Sequence, residues 1–196
     1  ITALSILTLE MFRVSRTGII LLVAAIGLLL AVGTAANIGG DKQFLFGGML
    51  VLSRFSVFFD FLYISIGLVT LIFSQGYLEK RGSASRGEYP ALILFAVIGM
   101  MLMSKANDLV IVFLGLELLS ISLYVLVGFL RHDNLSNESG LKYLLLGAFA
   151  TGFFLFGVTF IYGATGATNF SAIAETIAAG TILSDIYLYL GIGLLF

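Results

Sequence analysis

The chain contains no cysteine and a single histidine, His132, which falls in a polar link. Cysteine-ligated iron–sulfur clusters and structural zinc are therefore excluded within it, and so is a haem held by two histidines. Tryptophan is absent and proline occurs once, at Pro90. Charge is scarce: Asp, Glu, Lys and Arg make up 11% of residues, against about a quarter in soluble domains. The net charge is −1, with no basic block or acidic tail, so no nucleic-acid partner is indicated. What is left is apolar: 60% of residues are hydrophobic and the mean hydropathy is +1.12. These residues come in runs of helical length rather than short alternating segments. That pattern predicts an all-α integral membrane bundle set in the lipid bilayer, and not a membrane barrel.

In chain order, spans are expected at about 1–12, 17–36, 55–75, 88–103, 107–130, 137–163 and 186–196, giving six to seven transmembrane helices in one domain. The first has neither the basic n-region nor the cleavage site of a signal peptide and reads as a cut spanning helix. With Ile1 and Phe196 both inside apolar segments, the chain reads as part of a longer polypeptide. The link NIGGDKQFLFGG leaves room for a short interfacial piece, and Pro90 falls in the first turn of its span, where proline is tolerated. Alternate links carry Arg13, Arg16, Lys80, Arg81, Arg86 and Arg131 on one side and Lys42, Arg54 and Lys105 on the other. The positive-inside rule puts the richer set at the cytoplasm or its organellar equivalent. No repeat of fixed period is visible, although inverted repeats in transporter folds are often too weak to see in sequence.

Glu117 is the sharpest signal. It lies nine residues past Asp108 and fourteen before Arg131, about 13 and 21 Å along a helix, and so near the middle of a hydrocarbon core roughly 30 Å thick. An ionisable group at that depth costs roughly 2.5–3.5 kcal/mol and marks a candidate functional site. Ser120 and Tyr124 follow at i+3 and i+7, on the same face, making a polar stripe able to hold water or relay a proton. The plainer alternative is a buried, protonated or hydrogen-bonded acid that fixes helix packing.

Lys142 lies less than two turns into the next span if Ser136 is its N-cap. Its stem can snorkel to the headgroups, and Glu138 precedes it by four, the favourable order for a surface pair. Alternatively it interacts with Glu117 on the adjoining antiparallel helix. Desolvation would then push both groups toward neutrality while mutual attraction opposed it, a balance suited to moving one proton. Asp60, Lys105 and Asp108 lie near span ends and are expected at the interface. Gly147, Gly152 and Gly157 recur at five, on different helix faces, and read as close-packing positions. The tyrosines read as anchors or packing groups.

The run ANDLVIVFLGLELLSISLYVLVGF, followed by ESGLKYLLLGAFATGFFLFGVTFIYGATGATNF, closely resembles the subunit N (subunit 2) family of respiratory complex I, the proton-translocating NADH:quinone oxidoreductase. GEYPALILFAVIGMMLMS resembles the same family's fourth helix. The match is best over 88–170 and looser over 1–87, and the chain covers under half of a typical member. The resemblance implies an antiporter-like fold with inverted repeats, in which Glu117 matches the fifth-helix glutamate and Lys142 the sixth-helix lysine. The segment LYLGIGLLF resembles the approach to the family's next lysine, which would lie beyond Phe196. Lys105 departs from the small or polar residue expected there.

The implied function is a membrane-arm translocase subunit that couples quinone reduction elsewhere to proton transfer here. Its partners would be other complex I membrane-arm subunits, with NADH, FMN, iron–sulfur clusters and quinone held by them and no cofactor in this chain. The implied location is an energy-transducing membrane, mitochondrial inner or bacterial ahead of thylakoid. Competing readings are a subunit of a cation/proton (Na+/H+) antiporter and a structural membrane subunit without its own channel.

Overall fold

The computed structural model describes residues 42–80 and 87–196, together with scattered helical positions between 23 and 33. The span expected over 1–12 lies outside the described residues, as does most of that over 17–36. A short hairpin comes first, with β1 (Gln43–Leu45) antiparallel to β2 (Leu50–Leu52) and Gln43 opposite Leu52. Six helices follow: α1 (Arg54–Lys80), α2 (Glu88–Lys105), α3 (Leu109–Val127), α4 (Asn134–Thr165), α5 (Phe170–Ala178) and α6 (Asp185–Leu195). The helices α1 to α4 are long and apolar enough to cross a membrane; α6 is apolar but shorter. Continuous apolar runs become helices in lipid because only an internally hydrogen-bonded backbone is stable there.

Polar residues set the helix ends. Ser53 and Ser56 bond reciprocally, each backbone N–H donating to the other's hydroxyl, and start α1. The carboxylates of Asp108 and Asp133 accept from Val110 N and Leu135 N and cap α3 and α4. Asp133, not the expected Ser136, therefore begins α4, and the Ser136 hydroxyl instead donates to the Val127 carbonyl at 2.7 Å. A left-handed Gly166 (φ 71°) ends α4. Two features go beyond the expected spans. The link before α1 is a hydrogen-bonded hairpin with a turn through Phe46–Gly47–Gly48, all at positive φ, and the amphipathic α5 separates α4 from α6.

Neighbouring helices pack in chain order, α1 on α2, α2 on α3 and α3 on α4, and α6 returns against α4. Three glycine pairs make these approaches close. A β-carbon on Gly99 of α2 would stand 2.6 Å from the Gly115 carbonyl oxygen of α3. One on Gly140 of α4 would stand 2.9 Å from the Gly128 Cα that ends α3, and one on Gly157 would stand 2.9 Å from the Gly191 carbonyl oxygen of α6. In lipid there is little hydrophobic drive between helices, so such backbone contact supplies much of the association. Of the recurrent glycines, Gly147 and Gly157 do face different helices, α3 and α6, whereas Gly152 has no atom within 4 Å of its β-carbon position.

At one end of the bundle, three links are tied into a polar knot. Asn107 and Asn169 both donate to the Gly48 carbonyl, at 2.9 and 3.0 Å. Asn107 N donates to Met49 O, and Leu109 N to Thr168 O.

The Gly99–Gly115 crossing is directly testable in a full-length subunit. Gly115→Ala places a methyl 2.7 Å from Met103 Cγ and is expected to destabilise by about 1–3 kcal/mol through overpacking. Gly152→Ala should leave the thermal midpoint in detergent unchanged. Equal midpoints for the two variants would count against the crossing.

Candidate functional site

Glu117 lies in the middle of α3, two residues beyond Gly115. Gly115 presses on α2, and a two-residue step turns Glu117 by about 200°, away from α2 and toward α4. Aromatic contacts with α4 frame the same face above and below. Phe113, four residues before Glu117, stacks on Phe154 with centroids 6.4 Å apart. Tyr124, seven residues after it, meets Tyr143 edge to face at 4.9 Å. Glu117 and Ser120 lie between these contacts, and both are part-buried. The Glu117 Oε1 atom is fully buried and has no hydrogen-bond partner among the described residues. A buried acceptor left unpaired costs roughly 1–3 kcal/mol.

The Tyr124 side chain crosses α4 over Gly147, where a β-carbon would collide with the phenol hydroxyl. Gly147 is thus what lets a tyrosine lie between the helices at this level.

The contacts Phe113–Phe154, Tyr124–Tyr143 and Gly128–Gly140 define one antiparallel register between α3 and α4. In that register Glu117 is level with Ala150 and Lys142 with Val125. The two groups are therefore separated by about 12 Å along the helix axes, and they do not form an ion pair. Lys142 is 69% exposed and bonds Glu138 at 2.5 Å, the same-helix arrangement. With α4 starting at Asn134, it is a little over two turns in. Ser120 and Tyr124 occupy the levels between Glu117 and Lys142.

Asp60 and Lys105, expected as separate interfacial charges, are buried against each other. Antiparallel packing brings the start of α1 beside the end of α2, and Lys105 Nζ meets Asp60 Oδ1 at 2.6 Å, with the side chains 15% and 2% exposed. Sequence reasoning missed this pair, although opposite charges at facing ends of consecutive spans were the available signal. Asp108 is also buried: its Oδ2 accepts from the Thr168 hydroxyl at 2.8 Å while Oδ1 caps α3. At the opposite end of the bundle, Arg131 and Glu88 approach to 3.7 Å in solvent.

Residues 106–196 match the family described as NADH:quinone oxidoreductase/Mrp antiporter, TM. The chain is 45% identical over 176 residues to NADH-quinone oxidoreductase subunit N 2 of Roseiflexus castenholzii, covering 90% of this chain and 35% of that protein. It is 38% identical over 196 residues to subunit N of Trichlorobacter lovleyi, covering 100% of this chain and 40% of the relative. The chain thus spans between a third and two-fifths of these relatives. Its fold is similar to a chain of respiratory complex I from Thermus thermophilus with bound aureothin, at a TM-score of 0.76 and 28% identity, over 99% of this chain and 40% of that one.

The buried pair generates its own prediction. Asp60→Asn strands the Lys105 ammonium and Lys105→Met strands the Asp60 carboxylate, and each should cost about 3–5 kcal/mol. The double variant removes both charges and is expected to recover most of the loss in thermal midpoint of the full-length subunit. Additive losses would mean that the two groups do not act as a pair.

Proposed function

The chain belongs to the NADH-quinone oxidoreductase subunit N family, and on that premise we propose that it forms the acid-bearing part of a proton-translocation path in a membrane-arm subunit of a proton-translocating NADH:quinone oxidoreductase. One observation carries the reading: a glutamate at mid-depth in α3 whose Oε1 is buried without a partner. Such an atom gains a hydrogen bond when a proton or a water reaches it, and so favours changes of occupancy over a fixed structural role.

The path runs along the α3–α4 face. Glu117 exchanges a proton with a water held at Ser120, the Tyr124 hydroxyl takes a proton on its lone pair as it gives up its own at the level of Gly147, and Lys142, having first released a proton onward and become neutral, takes one up through intervening water. Each hop moves one proton from a donor to the lone pair of its neighbour. The axial gap of about 12 Å between acid and lysine supports a relay through Ser120 and Tyr124 in place of direct contact. Lys142 is bonded to Glu138 and turned out from α3, an arrangement suited to handing the proton onward to residues of the longer subunit past Phe196. A change in the electrostatic field from a neighbouring subunit sets the protonation of Glu117.

Electron transfer belongs to partner subunits in this reading. These 196 residues, without cysteine and with one histidine, offer no ligand set for an iron–sulfur cluster, and this reading assigns NADH, FMN, the clusters and the quinone to partner subunits. The protein acts as a translocase subunit in an energy-transducing membrane. A cation/proton antiporter subunit shares the Glu–Lys logic and the family description over 106–196, but needs no electron donor. Co-purification with flavin and iron–sulfur subunits separates the two.

In the assembled complex carrying the full-length subunit, Glu117→Gln is expected to lower NADH-driven proton pumping to about a tenth or less, since a positioned proton-transfer group typically contributes 10²–10⁴-fold. Tyr124→Phe should give a smaller loss. Unchanged proton stoichiometry and turnover after neutralising both Glu117 and Lys142 would replace the channel with a purely structural role.

A further inference from the structure

Beside the hairpin, at the end of the bundle that carries the polar knot, lies a cleft of about 780 Å³. It gathers the side chains of Lys42 and Arg54 from the segment leading into α1 and Lys105 from the end of α2, with Ser53, Ser104 and Asn107 among them. Asp60 neutralises Lys105. Lys42 and Arg54 make no ion pair among the described residues, so among the described residues the cleft carries two cations without a carboxylate partner. It also faces the start of α1, whose dipole adds to the positive potential.

Phe55 lines the same cleft and is the first of an exposed apolar row along α1: Phe55, Phe58, Leu62 and Ile66, exposed by 66, 64, 42 and 47%. Steps of three, four and four keep these residues on one face. Eleven residues of helix reach about 16 Å, half of a hydrocarbon core roughly 30 Å thick. Asp60 lies on the other side of α1, turned to Lys105. A two-cation cleft at headgroup level therefore opens onto an apolar track one leaflet deep.

We propose that this cleft binds the phosphate headgroup of an anionic phospholipid, held by Arg54 and Lys42, with an acyl chain along the Phe55–Ile66 row. Arginine presents a fork of donors that matches two phosphate oxygens, and lysine supplies a second charge. Basic residues at headgroup level attract anionic lipid headgroups by about 1 kcal/mol each, and since this cleft lies at the end opposite the arginine-richer links, the headgroup is one of the outer leaflet. A free phosphate would satisfy the cations but leave the track unused. The continuity of cleft and track is what selects a lipid. The site is separate from the Glu117 face and does not depend on the function proposed for it.

The test uses the assembled complex with the full-length subunit in nanodiscs of phosphatidylcholine containing a photoactivatable phosphatidylglycerol. Label is expected within residues 42–66 of the wild type. Lys42→Gln with Arg54→Gln should reduce that labelling by about 25-fold, at about fivefold per cation, with labelling elsewhere unchanged. The charge-conserving Lys42→Arg with Arg54→Lys should retain it. Should the neutral variant fail to assemble, the wild type decides alone, because absence of label in 42–66 overturns the proposal. Equal labelling of the neutral and wild-type forms also overturns it. Displacement by millimolar inorganic phosphate or glycerol phosphate would make this a small-anion site, and a cross-link from the cleft to a neighbouring protein would make it a subunit contact. Either result ends the lipid assignment.

Discussion

Backbone contact at three glycine pairs holds this bundle in register. Gly99 on Gly115, Gly128 on Gly140 and Gly157 on Gly191 each bring two helices so close that a methyl group would enter a neighbouring main chain. Between lipid-embedded helices, burial of apolar surface gives no net drive, because lipid tails are as apolar as leucine. Van der Waals contact and register then depend on where the chain has no side chain. The consequence for Glu117 is direct. The Gly115 contact fixes the side of α3 that meets α2, and thereby turns the glutamate toward α4, where Phe113 and Tyr124 set the level of the two helices.

Polar groups in the described part of the chain divide into two kinds. Most are matched, and their matches tie ends together: Asp60 to Lys105, Asp108 to Thr168, and Asn107 and Asn169 to one carbonyl in the hairpin turn. These ties lie where links leave the helices, so they fix the bundle's end without breaking any span. Glu117 is the exception, with a buried carboxylate oxygen that nothing in the described structure satisfies. Native proteins rarely leave such an atom without a reason. A chain that pairs its other buried charges yet leaves this acceptor open has kept one position whose hydrogen bonding can change.

The helical class and the place of Glu117 midway along a long apolar helix were legible along the chain, because each depends on local spacing. The span ends were legible to within a few residues, with Asp133 rather than Ser136 capping α4 because the chain enters that helix earlier than its apolar run. The hairpin was not legible: its strands are three residues long, too short for an alternating pattern, and its turn is held by Asn107 and Asn169 from links remote in sequence. Asp60 and Lys105 each looked like an ordinary interfacial charge. Pairing became visible only once two antiparallel helices set them side by side.

The sequence by itself determined that this is a membrane-spanning helical chain with an acid at mid-depth, and which family it resembles, since hydropathy, helical period and motif are properties of neighbouring residues. Tertiary structure decided the relations between helices: that Lys142 stands about 12 Å along the axis from Glu117, that Asp60 is buried against Lys105, and that three basic residues from two links share one cleft. Those relations follow from how the helices stand against one another, which glycine contacts set between α2 and α3, α3 and α4, and α4 and α6.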